Sequence, residues 1–136
     1  MIGLRCALAS KGFINGDLQH NKNVIVNTML ACSGEADIVV FGEAFLQGFY
    51  GATFDVEHDV QIALSQNDSI VKEICAVAKQ SAIAVSFGFI EKEKDCFYSS
   101  QLTIDKNGNI HAKITSALTI SSARLRILFI APTQAI

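Results

Sequence analysis

Residues 36–50 read ADIVVFGEAFLQGFY. Within them, residues 38–41 (Ile-Val-Val-Phe) form an unbroken apolar run between Asp37 and Gly42. A run this short, rich in β-branched side chains and ended by a turn former, predicts a strand buried on both faces, as in a parallel sheet. Gly42 and Glu43 follow at once. Ligands of open α/β sheets collect at the carboxyl ends of the strands. Glu43 therefore stands where such a fold places its chemistry, and the flanking chain is read as the support for that strand.

Upstream, Ile2, Leu4, Cys6 and Leu8 alternate onto one face and predict a first strand. Residues 9–19, with Gly12 and Gly16, read as a loop. Asn21 is the expected cap of a helix reaching residue 31 or 32, with Val24, Ile25, Thr28, Met29 and Cys32 as its apolar stripe and Gly34 as its stop. A strand, a helix and the 36–41 strand imply two parallel strands joined by a crossover.

Downstream, residues 52–63 read as loop or short helix. Asn67 or Asp68 caps a helix over 69–80, with Ile70, Ile74, Val77 and Ala78 along one side. IAVSFGFI at 83–90 is a strand, 91–95 a charged turn, and FYSSQLTI at 97–104 a strand antiparallel to it. Asn107-Gly108 suits a two-residue type I′ turn, and a further strand begins at 110. The expected order is β-α-β-α-β-β.

The 136 residues fit one domain, and 50% apolar with 18% charged residues is globular composition. A net charge of −2 leaves no electrostatic footprint for nucleic acid. No apolar run is long enough for a membrane span, and the alternating start carrying Arg5 reads as a strand pattern and not as a secretory signal. Cys6, Cys32, Cys75 and Cys96 are far apart without a C-x-x-C pair, and read as reduced thiols of a cytoplasmic protein. His20, His58 and His111 are scattered, so neither a metal site nor a cofactor is expected. Residues 1–105 hold 7 Lys/Arg and 13 Asp/Glu, whereas residues 106–136 hold 4 Lys/Arg and no acid. The composition thus changes near the end. Residues 111–136 read as an atypical tail, of the kind a reading-frame shift near 109–112 would produce, with a strand near 125–130 as the plainer reading.

Two stretches and a weaker third resemble the nitrilase, or carbon–nitrogen hydrolase, superfamily over about residues 2–110. ADIVVFGEAFLQGFYG is similar to that family's strand ending in a glutamate, with Gly42 where the family commonly has proline. IAVSFGFIEKEKDCFYSSQLTIDKNGNI resembles its strand, charged turn and strand, in which a tyrosine and a small polar pair open the second strand. The start of the chain, a strand, a polar loop and Asn21, is the third. The resemblance implies an α/β protein built as part of a four-layer αββα sandwich, with residues 1–110 as the N-terminal part of the hydrolase domain. It also implies an oligomer, a small amide or nitrile as substrate, and a Glu–Lys–Cys triad. In that triad a thiolate attacks, the carboxylate is general base, and the lysine balances the developing charge. By position Glu43 matches the general base. Lys113 is the candidate lysine, though it follows Gly108 closely and lacks a preceding Tyr-Arg. A Gly-x-x-x-Cys-Tyr-Asp-like segment for the nucleophile is absent, so the chain is expected to be truncated before its cysteine and inactive alone.

Other groups have plainer roles. Cys6, Cys32 and Cys75 fall on apolar faces and read as buried structural thiols. Cys96 sits in a charged turn with no base beside it. Asp55, Glu57 and Asp59 read as a solvated face, and Phe45, Phe49 and Tyr50 as pocket lining or turn packing. The alternative to a hydrolase is a non-catalytic α/β module that binds a partner or a separately encoded second half, because a half-sandwich leaves an apolar sheet face uncovered. A flavodoxin-like domain is disfavoured, since no glycine-rich phosphate loop joins the first strand to a helix.

Overall fold

The computed structural model describes residues 3–53, 55–119 and 126–130; for Val56, 112–119 and 126–130 it describes the backbone alone. The elements run β1 Cys6–Leu8, α1 Leu18–Cys32, β2 Ile38–Val40, α2 Val56–Ile62, α3 Ser69–Ser81, β3 Ala84–Glu93, β4 Cys96–Ile104, β5 Ile110–Thr119 and β6 Arg126–Ile130. The six strands form one sheet in the order β1-β2-β3-β4-β5-β6. β1, β2 and β3 are parallel, and β3 through β6 are antiparallel. This is a mixed α/β sheet whose first half is wound through helices and whose second half is a meander.

Helical spacing decides what packs on the sheet. Ile25 and Met29 of α1 and Val71, Ile74 and Ala78 of α3 are buried in one cluster with Val39, Val85, Phe87, Phe89, Leu102 and Ile104. The alternation of strands then turns Ser86 and Gly88 of β3 and Ser99, Gln101 and Thr103 of β4 toward the other face. α1 and α3 are joined by Lys22 Nζ and Glu73 Oε2 at 2.6 Å. Among the described residues no helix is long and apolar enough to cross a membrane.

Several local expectations change. The alternation in β1 is real, but Leu4, Cys6 and Leu8 are exposed while Ala7 packs against the core. The helices cover the opposite face of this edge strand, so Cys6 is no buried thiol. Cys32 and Cys75 are half-buried rather than enclosed, and burial raises the Cys75 thiol above its ordinary value. β2 is buried at Val39 and half-buried at Ile38 and Val40, because the second face of the sheet is open at this point. The cap of α1 is Asp17, whose Oδ1 accepts from His20 N at 2.9 Å. Asn21 is fully buried one turn later and ties loop to loop.

The β4–β5 connection is also not a two-residue turn. Ile104 pairs with Ile110, leaving residues 105–109 as the loop, and only Gly108 has a positive φ, of 82°. Asp105 is the reason. Its Oδ1 accepts from Asn107 N at 2.8 Å and Asn109 N at 3.0 Å, which wraps the loop around the carboxylate. A Cβ at Gly108 would lie 2.6 Å from the Cys75 carbonyl oxygen of α3. The amides of Asn109 and then Asn107, with the His111 ring, hold the Asp105 carboxyl below its usual value. A carboxyl lowered in the folded state stabilises above its unfolded pKa of about 3.9 and loses that contribution as pH falls through the folded value. The Asn107 and Asn109 amide resonances should therefore hold their positions at pH 5 and move on acidification below about 3.9. Positions that stay fixed to the acid limit would contradict the wrap.

α3 ends at Ala82, an exposed residue in the left-handed region with φ 51°. Glycine is the residue that suits this position. Ala82→Gly should stabilise the protein by about 1 kcal/mol, read as a higher urea midpoint at unchanged slope.

Candidate functional site

Glu43 lies three residues past β2, at the carboxyl end of a central parallel strand. Phe41 extends the ladder by one bond, from its N–H to the Ser86 carbonyl at 2.8 Å. The chain then turns sharply. Gly42 and Glu43 are exposed, whereas residues 44–48 are buried. Ala44 has φ 52°, a left-handed conformation that a side chain adopts at a cost of about 1 kcal/mol or more. Strain of this kind persists only where the surroundings determine it.

Here the surroundings are β3. The Gly88 N–H donates to the Gly42 carbonyl at 3.2 Å, and the Leu46 N–H donates to the Gly88 carbonyl at 3.1 Å. The approach is so close that a Cβ on Gly88 would lie 2.4 Å from Ala44 N and 2.7 Å from Glu43 Cα. The glutamate turn is pressed onto a glycine in an otherwise bulky strand. A lone glycine inside an apolar strand is a recognised sign of close backbone approach, so IAVSFGFI carried the signal without saying what would arrive there.

On the same face, Ser99 Oγ of β4 donates to Glu43 Oε1 at 3.0 Å. Gln101 Nε2 donates to the Phe41 carbonyl at 3.2 Å and to Ser86 Oγ at 3.0 Å, and Thr103 Oγ1 donates to Ser86 Oγ at 3.2 Å. A polar row therefore runs beside the carboxylate on the face opposite the helices. Below the turn, fully buried Gln47 holds the loop to β3. It donates to the Ile62 and Ile90 carbonyls, each at 3.0 Å, and accepts from Ile90 N at 2.8 Å.

The loop after β1 meets the loop after β2, as expected where parallel strands end. Gly16 N donates to the Gln47 carbonyl at 2.7 Å, Tyr50 N to Asn15 Oδ1 at 3.0 Å, and Asn21 Nδ2 to the Leu46 carbonyl at 3.0 Å. Phe45 is buried against Phe41 and Phe13, with ring centroids 4.8 and 5.6 Å away. Phe49 and Tyr50 form an edge-to-face pair on the surface, 60% and 76% exposed. An open groove of about 450 Å³, bordered by Lys11, Asn27 and Cys32, includes no residue of the Glu43 turn.

The other sequence candidates lie elsewhere in the chain, and for Lys113 the backbone register alone is described. Lys113 is paired in register with Leu102, whereas Ser99, the partner of Glu43, is paired with Ser116. Cys96 begins β4, and its side chain, close to Tyr98, raises the phenol above its ordinary value. Of the acids near α2, Asp55 and Glu57 are exposed as expected, but Asp59 is buried and caps Thr53, accepting from its N–H at 2.9 Å. Sequence reasoning expected Glu43 at the strand end, where the structure has it, but did not single out Ala44, Gln47, Gly88 or Ser99 around it. Only Gly88 and the small pair after Tyr98 carried a readable signal.

This geometry can be set beside known proteins. A carbon–nitrogen hydrolase family profile matches residues 8–134. An (R)-stereoselective amidase from a Pseudomonas species is 28% identical over 94 residues, 69% of this chain and 33% of that enzyme. The crystal structure of an amidase from a Nesterenkonia species superposes with TM-score 0.71 at 18% identity, over 93% of this chain and 47% of its own. A double mutant of that amidase in complex with acrylamide gives TM-score 0.72 at 17% identity, over 96% and 49%. The chain thus spans about half the length of these solved relatives and a third of the curated one. The glutamate turn, the mixed sheet and a family match over nearly every residue agree, and the chain belongs to the carbon–nitrogen hydrolase family.

Proposed function

We propose that this chain is the base-bearing part of a hydrolase that cleaves the C–N bond of a small amide or nitrile, with Glu43 as general base. The observation that carries the reading is the Glu43 carboxylate at a parallel strand end, held by Ser99 and backed by Gly88. A carboxylate in that position accepts the proton of an attacking thiol, and the S–H electron pair stays on sulfur for the attack on carbon. The substrate class is supported by the amidases it resembles, one of which was crystallised with acrylamide and another form with butyramide. Lys113 remains the sequence's candidate for the balancing cation. The four free thiols suit a reducing cytoplasm, and the open sheet face suits assembly into an oligomer.

The 136 residues hold no segment of the kind that would supply the thiol. The purified chain should therefore hydrolyse no small amide above background. Hydrolysis that disappears in Glu43→Gln would overturn that expectation while upholding the role of Glu43. Reading the coding DNA in all three frames past residue 105 is the companion test. A frame that supplies the lysine and cysteine segments yields a restored enzyme, in which Glu43→Gln should lower kcat by about 100-fold or more. Unchanged turnover there would remove Glu43 from the mechanism.

A further inference from the structure

Glu43 is exposed on a turn, and an exposed glutamate side chain is free to rotate unless something holds it. Ser99 is the group that does so. Its Oγ donates to Oε1 at 3.0 Å across 56 residues of sequence. Among the described residues, Oε2 has no hydrogen-bond partner. We infer that Ser99 is a positioning residue for Glu43, fixing Oε1 so that Oε2 is the oxygen that takes up the proton. The inference rests on the general-base reading above.

Three features make Ser99 suited to this. It sits in the middle of β4, paired on one side with Ile90 of β3 and on the other with Ser116 of β5, so its backbone is held by two ladders. A group carried on a strand is placed more firmly than one on a loop. Its neighbour Ser100 is turned to the other face, where its Oγ donates to buried Glu91 Oε2 at 2.6 Å, so the strand is pinned from behind. Finally, a hydroxyl bonded to a carboxylate makes a charge-assisted bond, stronger than a neutral one. One oxygen is thereby occupied as an acceptor, and the second is left to form the new O–H bond as the donor's bond to hydrogen breaks.

The test needs no turnover. The side-chain carboxyl ¹³C resonance of Glu43, assigned by its loss in Glu43→Gln, is recorded at neutral pH in the wild type, Ser99→Ala and Ser99→Thr. The expected result is a shifted Glu43 resonance in Ser99→Ala and a retained one in Ser99→Thr, with the Gln101 and Leu102 amides unmoved in both. In reverse, Glu43→Gln should move the Ser99 Cβ resonance, which gives a readout even if Ser99→Ala folds poorly. A Glu43 resonance indifferent to Ser99→Ala, or one moved equally by threonine, overturns the inference. Failure of the general-base reading would instead appear in the turnover of the restored enzyme, with these resonances unaffected.

Discussion

Gly88→Ala should destabilise the protein by about 3 kcal/mol and move Glu43 away from Ser99. The added methyl meets three backbone atoms, Ala44 N at 2.4 Å and Glu43 Cα and Gly42 O at 2.7 Å, and none is a flexible side-chain end that can swing aside. Overpacking of this kind costs about 1–3 kcal/mol. The two bonds that seal the contact, from Gly88 N to Gly42 O and from Leu46 N to Gly88 O, each contribute about 1 kcal/mol more when strained or broken. For a domain of this size the melting temperature should fall by roughly 10 °C. Gly12→Ala is the control, because the same change there meets nothing within 4 Å and requires no positive φ. Thermal unfolding of both variants decides the matter. A Gly88→Ala protein that melts with the wild type would mean the turn does not rest on β3.

Gln47→Leu should cost about 3 kcal/mol with little change in packed volume. Leucine fills similar space, so the loss is of hydrogen bonds and not of contact area. The Ile90 carbonyl keeps a second donor, the Leu64 N–H at 3.0 Å. The groups left without their Gln47 partner are the buried Ile90 N–H and the half-buried Ile62 carbonyl, and a buried orphan such as the Ile90 N–H costs about 1–3 kcal/mol. Urea unfolding gives the stability, and faster hydrogen exchange at the Ile90 amide locates the damage. At neutral pH, Gln47→Glu should fall as far. Its carboxylate can still accept from Ile90 N but can donate to neither carbonyl, and it buries a charge. Wild-type stability in Gln47→Leu would show that the loop is held elsewhere.

The fold was legible where apolar spacing left one solution. The run at 38–41 and the alternation after residue 96 each specified a strand and its partner, and the stripe at 69–80 specified a helix. Legibility failed where a polar side chain chose among several backbone groups. Asn21 looked like a cap, because asparagine before an apolar helix usually caps it. The buried contact of two loops outweighed that use, and Asp17 took the cap. Asp105 likewise displaced the two-residue turn that Asn107-Gly108 favours locally. The face of β1 was misread for another reason. Alternation tells which residues share a side, but not which side the helices cover.

By itself, then, the sequence determined the parallel core strand, the carboxylate at its end and the family likeness, since these depend on the order of residues along a few dozen positions. Only the tertiary structure decided what surrounds that carboxylate. Ser99 and Gly88 reach Glu43 from 56 and 45 positions away, and Gln47 reaches Ile90 across 43. No local propensity encodes such meetings. They follow from the register of β3 and β4, which is set when the apolar faces of the whole sheet are buried together.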